Sequence, residues 1–389
     1  MSLLSAITLT LGMWHGTLTT PGGELPFGVE IRKQENTYTL TVINGEEQLV
    51  LDEISLTQDS LIARFPVYES ELRLKIIDSG FLEGSFINLT RSTHASIPMQ
   101  IKYGSKSRFP VSEKNIPIKI LTKYAAVFSP GTPDSSVAVG VFNQVGNEVT
   151  GTFLTPSGDY RYLHGNVDGD SLHLSTFNGV FVYLFKAKIE NNRLIGKFYS
   201  GTHYSTNWAA VADENAQLPD PDKLTTITDA HLPLELTFPD LDSLPVSLSD
   251  PRFNGKVIVI QILGSWCPNC LDESQFLAPY YDKNQHKGFE IIGLAFEKTD
   301  TFSKAVSNVK RFQKRFKINY LLLIASNRDK IRKTMPRLNN FIGFPTTIIL
   351  DKSHKVRKVH AGFSGAATGI AYEQYKDEFN LFIEKMLSE

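Results

Sequence analysis

The chain has 389 residues, with 40 Lys plus Arg against 41 Asp plus Glu and a formal net charge of −1. That length exceeds one comfortable hydrophobic core, so two domains are expected, and the charge balance argues against nucleic acid as a main partner. Globular composition argues against disorder, no apolar run approaches the ~18 residues that span a membrane, and two cysteines are too few for a disulfide scaffold.

The first eleven residues are apolar but carry no basic segment and no small-residue cleavage site. They read as a first strand or as the start of a mature chain. From residue 13 to about 212 the pattern is β. Period-2 alternation is clear at Leu25, Phe27, Val29 and Ile31, at Tyr38, Leu40 and Val42, and at Leu72, Leu74 and Ile76. Asn44-Gly45, Asp168-Gly169 and Asn178-Gly179 are hairpin dipeptides. One short pattern recurs after turns: Leu82-Glu83-Gly84-Ser85-Phe86, Val149-Thr150-Gly151-Thr152-Phe153 and Leu194-Ile195-Gly196-Lys197-Phe198. Roughly a dozen strands joined this way predict an all-β antiparallel, barrel-like domain over residues 1–212, since closure removes exposed edges.

Residues 213–232 are polar, hold Pro219 and Pro221 and lack periodicity, so they read as a linker. Beyond them, over 233–389, the texture is α/β. Continuous apolar runs at 257–263, 289–296 and 320–324 read as strands buried on both faces. Val306, Val309, Phe312 and Phe316 fall at helical spacing; 346–350 and 356–360 read as strands. Tyr372, Tyr375, Phe379, Phe382 and Met386 mark a closing helix.

Both cysteines lie in Cys267-Pro268-Asn269-Cys270, directly after the first buried strand. Cys267 then falls at a helix N-cap with Pro268 in the first turn, where a missing N–H costs nothing. The free N–H groups and positive dipole there favour the thiolate of Cys267. Cys270 lies one turn further in and is shielded. An exposed attacking Cys267 and a buried resolving Cys270 are therefore expected. Half a zinc site is the weaker reading, because the nearest histidine, His286, has no companion at ligand spacing. No metal and no cofactor are expected.

Trp266-Cys267-Pro268-Asn269-Cys270 after a hydrophobic strand resembles the W-C-x-x-C motif of the thioredoxin superfamily. Gly343-Phe344-Pro345-Thr346-Thr347 resembles its cis-proline segment. The long gap between the two motifs resembles the TlpA/ResA-like branch, related to the AhpC/TSA and redoxin families. The resemblance implies a thioredoxin-like fold over 233–389 and thiol–disulfide exchange with a protein disulfide or dithiol. It also implies an upstream thiol partner and a place in the periplasm or cell envelope, with a membrane tether outside this chain. It makes Pro345 cis, with Phe344 presenting its backbone to substrate beside Trp266, Pro268 and Asn269. In that branch a glutamate at the place of Glu273 is linked to proton movement at the buried thiol; the alternative is a first-turn acid complementing the helix dipole. Gln261 stands where thioredoxin carries a buried aspartate, and cannot take a proton. Gly12-Met13-Trp14 resembles the lipocalin G-x-W motif. Two rival readings are an AhpC/TSA-type peroxidase and a ligand-binding barrel with an accessory docking domain.

Overall fold

The structure, a computed structural model, describes residues 8–35, 37–104 and 106–389. Residues 1–7 of the apolar N-terminal segment lie outside this set. The chain forms two compact units: the chain up to Phe153 together with Tyr160–Gln217, and Leu154–Asp159 together with Leu218–Glu389.

The first unit is all-β, antiparallel and barrel-like, as the alternation predicts, with two sheets in place of one barrel of a dozen strands. It is built on two nine-stranded antiparallel sheets. In the first, the terminal strands of the sheet order are Glu47–Leu51 and Glu53–Leu56. They are separated by Asp52 alone, which brings the two ends of the strand order together. In the second, Ser136–Val145 pairs with Glu148–Thr155 and closes a ring of eight, with the two-residue strand Gly158–Asp159 added at the hairpin tip. Alternation looks the same on both sides of the break at 104–122, which is why the sequence pattern did not divide them.

The alternation does set the interior. Leu25, Phe27, Val29 and Ile31 are all at most 1 % exposed. In the second barrel Phe128, Phe153, Phe185, Phe198 and Trp208 fill the middle ring against ring, with Phe185 and Phe198 centroids 4.6 Å apart. The recurring five-residue pattern has a steric cause. A Cβ on Gly84 would stand 2.0 Å from the Arg73 carbonyl oxygen, and one on Gly196 would stand 1.9 Å from that of Lys186. Glycine lets the neighbouring strand approach there, while Leu82 and Phe86, or Leu194 and Phe198, point into the core on either side.

The second unit holds a five-stranded mixed sheet. Its elements are β1 (Val257–Leu263), α1 (Pro268–Asn284), β2 (Phe289–Glu297), α2 (Phe302–Phe316), β3 (Leu321–Asn327), β4 (Thr346–Leu350), β5 (Val356–Ala361) and α3 (Ile370–Ser388). The strand order is β3-β2-β1-β4-β5, with β1, β2 and β3 parallel and β4 and β5 antiparallel to their neighbours. Every residue of central β1 is buried, as its unbroken apolar run requires. Helices α1 and α3 meet through Phe276 and Phe379, 5.3 Å apart between ring centroids.

Part of the tract 213–232 is built into this unit. Thr226–Ile227 pairs with Leu338–Asn339, Thr225 is fully buried, and Asp222 binds Lys358 and His360. A two-residue strand leaves no periodicity, so the polar composition alone reads as a linker.

Candidate active site

The buried strand β1 ends at Leu263, and the chain turns through Gly264, Ser265 and Trp266 into α1. Glu297, 1 % exposed at the end of β2, fixes this turn. It accepts the Ser265 N–H at 2.8 Å and the Ser265 hydroxyl at 2.7 Å. Trp266 donates its Nε1–H to the Phe296 carbonyl at 2.9 Å and stands edge-on to Phe344, 5.3 Å between centroids. Lys298 and Arg328 lie over its ring at 4.8 and 5.0 Å. Nothing in the spacing of the sequence signals Glu297 or these two cations.

Cys267 is the N-cap of α1 and Pro268 follows at its first position. The Cys270 N–H donates to Cys267 Sγ at 3.3 Å, and Cys267 Sγ lies 3.6 Å from the Phe344 carbonyl oxygen. The Phe344–Pro345 peptide is cis. The dithiol, Trp266 and the 343–345 loop are thus brought together. Both cysteines are free thiols. Against the expectation of an exposed attacker, Cys267 is only 5 % exposed, because its sulfur turns inward to these two partners; Cys270 is fully buried. Burial, and then the neighbouring Cys267, push the Cys270 thiol well up. Asn269 is 8 % exposed, and its Oδ1 has no hydrogen-bond partner.

Glu273, one turn beyond Cys270, is fully buried rather than a solvated first-turn acid. Thr347 donates its hydroxyl to Oε1 at 2.6 Å, and Gln261 donates Nε2–H to Oε2 at 2.8 Å. Gln261 also donates to the Cys270 carbonyl at 3.4 Å, while its Oε1 accepts from Ser274 and Tyr320. Its amide is thereby oriented with its donors toward the carboxylate. Burial raises the Glu273 carboxyl above the ordinary range, and the two donors work against that rise. Tyr375 of α3 is half-buried with its hydroxyl enclosed, and desolvation followed by the Glu273 charge pushes the phenol well up. Thr347 stands in the proline segment and Tyr375 in the apolar stripe of α3, but neither pattern marks them as polar partners. Among the described residues no group of three or more His, Cys, Asp or Glu side chains is placed to hold a metal ion.

Residues 222–372 match the family model described as Redoxin. The Thiol-disulfide oxidoreductase ResA of Bacillus thuringiensis subsp. konkukian is 27 % identical over 147 residues, covering 38 % of this chain and 72 % of that protein. ResA of Geobacillus thermodenitrificans is 29 % identical over 125 residues, covering 32 % of this chain and 63 % of that protein. Among solved structures, a putative thiol:disulfide interchange protein DsbE from Chlorobium tepidum covers 44 % of this chain and 99 % of its own, at 19 % identity and a TM-score of 0.32. A secreted thiol-disulfide isomerase from Corynebacterium glutamicum covers 45 % and 99 %, at 20 % identity and a TM-score of 0.33.

Proposed function

From the redoxin domain that forms the C-terminal region of this chain, we propose that the protein exchanges disulfides with protein substrates through Cys267 and Cys270. The observation that carries this reading is the placement of Cys267 Sγ at a helix N-cap, 3.6 Å from the Phe344 carbonyl that precedes Pro345.

In the reducing direction the Cys267 thiolate attacks one sulfur of a substrate disulfide. A Cys267–substrate disulfide forms, and the other substrate sulfur leaves as a thiolate and takes a proton. Cys270 then loses its proton and attacks Cys267 Sγ. The intramolecular disulfide forms and the second substrate sulfur leaves. An upstream dithiol protein supplies the two electrons and two protons that restore the pair. With the Cys270 thiol pushed up by burial, resolution needs a base. Glu273 is the buried carboxylate one turn away, and its raised affinity for protons suits it to accept this one. Trp266, Pro268, Asn269 and the Phe344 backbone form the rim on which the substrate strand lies, Phe344 pairing with it edge to edge.

The aromatic filling of the second barrel leaves its interior to side chains, which supports a recognition or scaffold role over an enclosed ligand. We place the protein in the cell envelope, as the resemblance of its Cys267–Cys270 and Pro345 motifs to the TlpA/ResA-like branch implies. No helix among the described residues is long and apolar enough to cross a membrane. The test is turnover of a protein disulfide by the full chain with a small dithiol as reductant. Equal turnover by Cys267→Ser sinks the proposal.

A further inference from the structure

The turn Pro156-Ser157-Gly158-Asp159 belongs to the second unit, and thiol chemistry gives it no role. It lies against Asn269 in the first turn of α1, the 343–345 loop, and the 362–365 loop that is bonded to Pro345. A Cβ on Gly158 would stand 1.8 Å from Asn269 Nδ2, so the turn's backbone rests directly on the Asn269 side chain. A Cβ on Gly343 would meet Ser157 Cβ at 3.1 Å, and one on Gly362 would meet the Pro156 carbonyl oxygen at 2.7 Å. The Gly365 N–H donates to Asp159 Oδ2 at 2.6 Å, with Asp159 only 2 % exposed. Glycine stands at each of these four contacts, which lets the main chain approach closely.

Asn269 lies between the two cysteines, the Phe344 carbonyl oxygen is 3.6 Å from Cys267 Sγ, and the Gly362 N–H donates to the Pro345 carbonyl at 2.9 Å. The turn thus packs on the segments that flank Cys267, which is itself 5 % exposed. The seated turn also has a cost. Asn269 Oδ1 is buried beneath it with no donor, an unsatisfied acceptor that the folded protein tolerates at a loss of free energy. A substrate N–H arriving in place of the turn would satisfy it.

We infer that the 154–159 turn is an internal occupant of the substrate groove. It and a protein disulfide use the same surfaces and exclude each other, so the turn lifts before Cys267 Sγ meets substrate. Asp159 is the positioning residue, acting through the Gly365 N–H. This inference rests on the oxidoreductase reading for its substrate, but not for the closure itself. Apparent affinity for a protein disulfide then falls by the fraction of molecules that are open.

The experiment uses the full chain, reduced, in a Cys270→Ser background so that one thiol reports. Asp159→Ala removes the acceptor, and Gly158→Ala places a methyl group against Asn269. Folded variants should react with iodoacetamide at Cys267 about tenfold faster or more. With Cys270 restored, their kcat/KM on a protein disulfide should rise in parallel. Alkylation at the parent rate in either folded variant overturns the inference. A measurement independent of the turn variants is amide exchange of Gly365 in the mixed disulfide trapped by Cys270→Ser. It should quicken when substrate displaces the turn, and unchanged protection overturns the inference even where the variants do not fold. Faster alkylation with no turnover of any disulfide would instead sink the oxidoreductase reading and leave the closure standing.

Discussion

The Thr347 hydroxyl donates to Glu273 Oε1 at 2.6 Å, which ties the strand after Pro345 to the helix that carries both cysteines. The same carboxylate takes a second donor from Gln261. On this fully buried acid, burial and the two donors act on the proton in opposite directions. Burial raises its affinity for the proton in the folded state above that in the unfolded chain. Between the ordinary carboxylate value and that raised value, the folded protein therefore binds more protons, and stability falls as pH rises. Glu273→Gln should remove this slope from a series of melting temperatures against pH. It should also slow resolution of the mixed disulfide by about tenfold or more, by removing the base. An unchanged pH–rate profile would reduce Glu273 to a packing residue.

Thr347→Val keeps the shape of the side chain and deletes one donor to the carboxylate. Glu273 would then hold its proton to still higher pH, because a hydrogen bond to the charged form is lost. The midpoint of the pH dependence of resolution is expected to move upward, with the rate at high pH little changed. A downward or absent shift would show that Thr347 does not tune the acid.

Cys267→Ser should abolish exchange, while Cys270→Ser should accumulate mixed disulfides with substrate on non-reducing gels. The asymmetry lies in chemistry more than in exposure, since both thiols are buried. Cys267 has the helix N-terminus and the Cys270 N–H on its sulfur, whereas burial suppresses ionisation of Cys270. In the reduced protein, mass spectrometry should find alkylation first at Cys267. The reverse order would exchange the two roles.

In the first barrel, Gly84→Ala would drive a methyl group into the Arg73 carbonyl oxygen, 2.0 Å from the ideal Cβ position. The neighbouring strand is backbone and cannot rotate away. The variant should lose about 1–3 kcal/mol in urea unfolding, the usual cost of overpacking. A loss below about 0.5 kcal/mol would mean that the strands separate freely at this point.

What the sequence made legible follows the strength of the local signal. The apolar run of β1, the N-cap at Cys267 and the spacing to Pro345 each depend on residues close in the chain, so the α/β unit and its thiols could be read directly. The two barrels could not be separated, because alternation reports only which face is buried and is the same in every strand. Thr347, Tyr375 and the 154–159 turn escaped for another reason. Each acts by meeting a residue far away in sequence, and a lone hydroxyl or a Pro-Ser-Gly-Asp turn carries no periodic mark.

The start of the second unit offers a final test. A fragment beginning at residue 233 would lose the pairing of Thr226–Ile227 with Leu338–Asn339, the buried Ile227 and the Asp222 bonds to Lys358 and His360. A fragment beginning at Leu218 keeps them. One core cluster of this unit runs from Ile227 to Val359, and the buried Phe363, Phe379, Ile383 and Met386 also lie within 218–389, so the longer fragment keeps these apolar residues. Burial of Ile227 alone is worth about 1.5–3 kcal/mol; the partly exposed ion pairs of Asp222 add little to that. Residues 218–389 should therefore fold alone and melt cooperatively above residues 233–389. The longer fragment lacks the 154–159 turn as well. It should reduce a small model disulfide at least as fast as the full chain. If it melts no higher than the shorter one, the 218–232 segment contributes nothing to this fold. If it folds but turns over far more slowly than the full chain, the barrels belong to the catalytic unit.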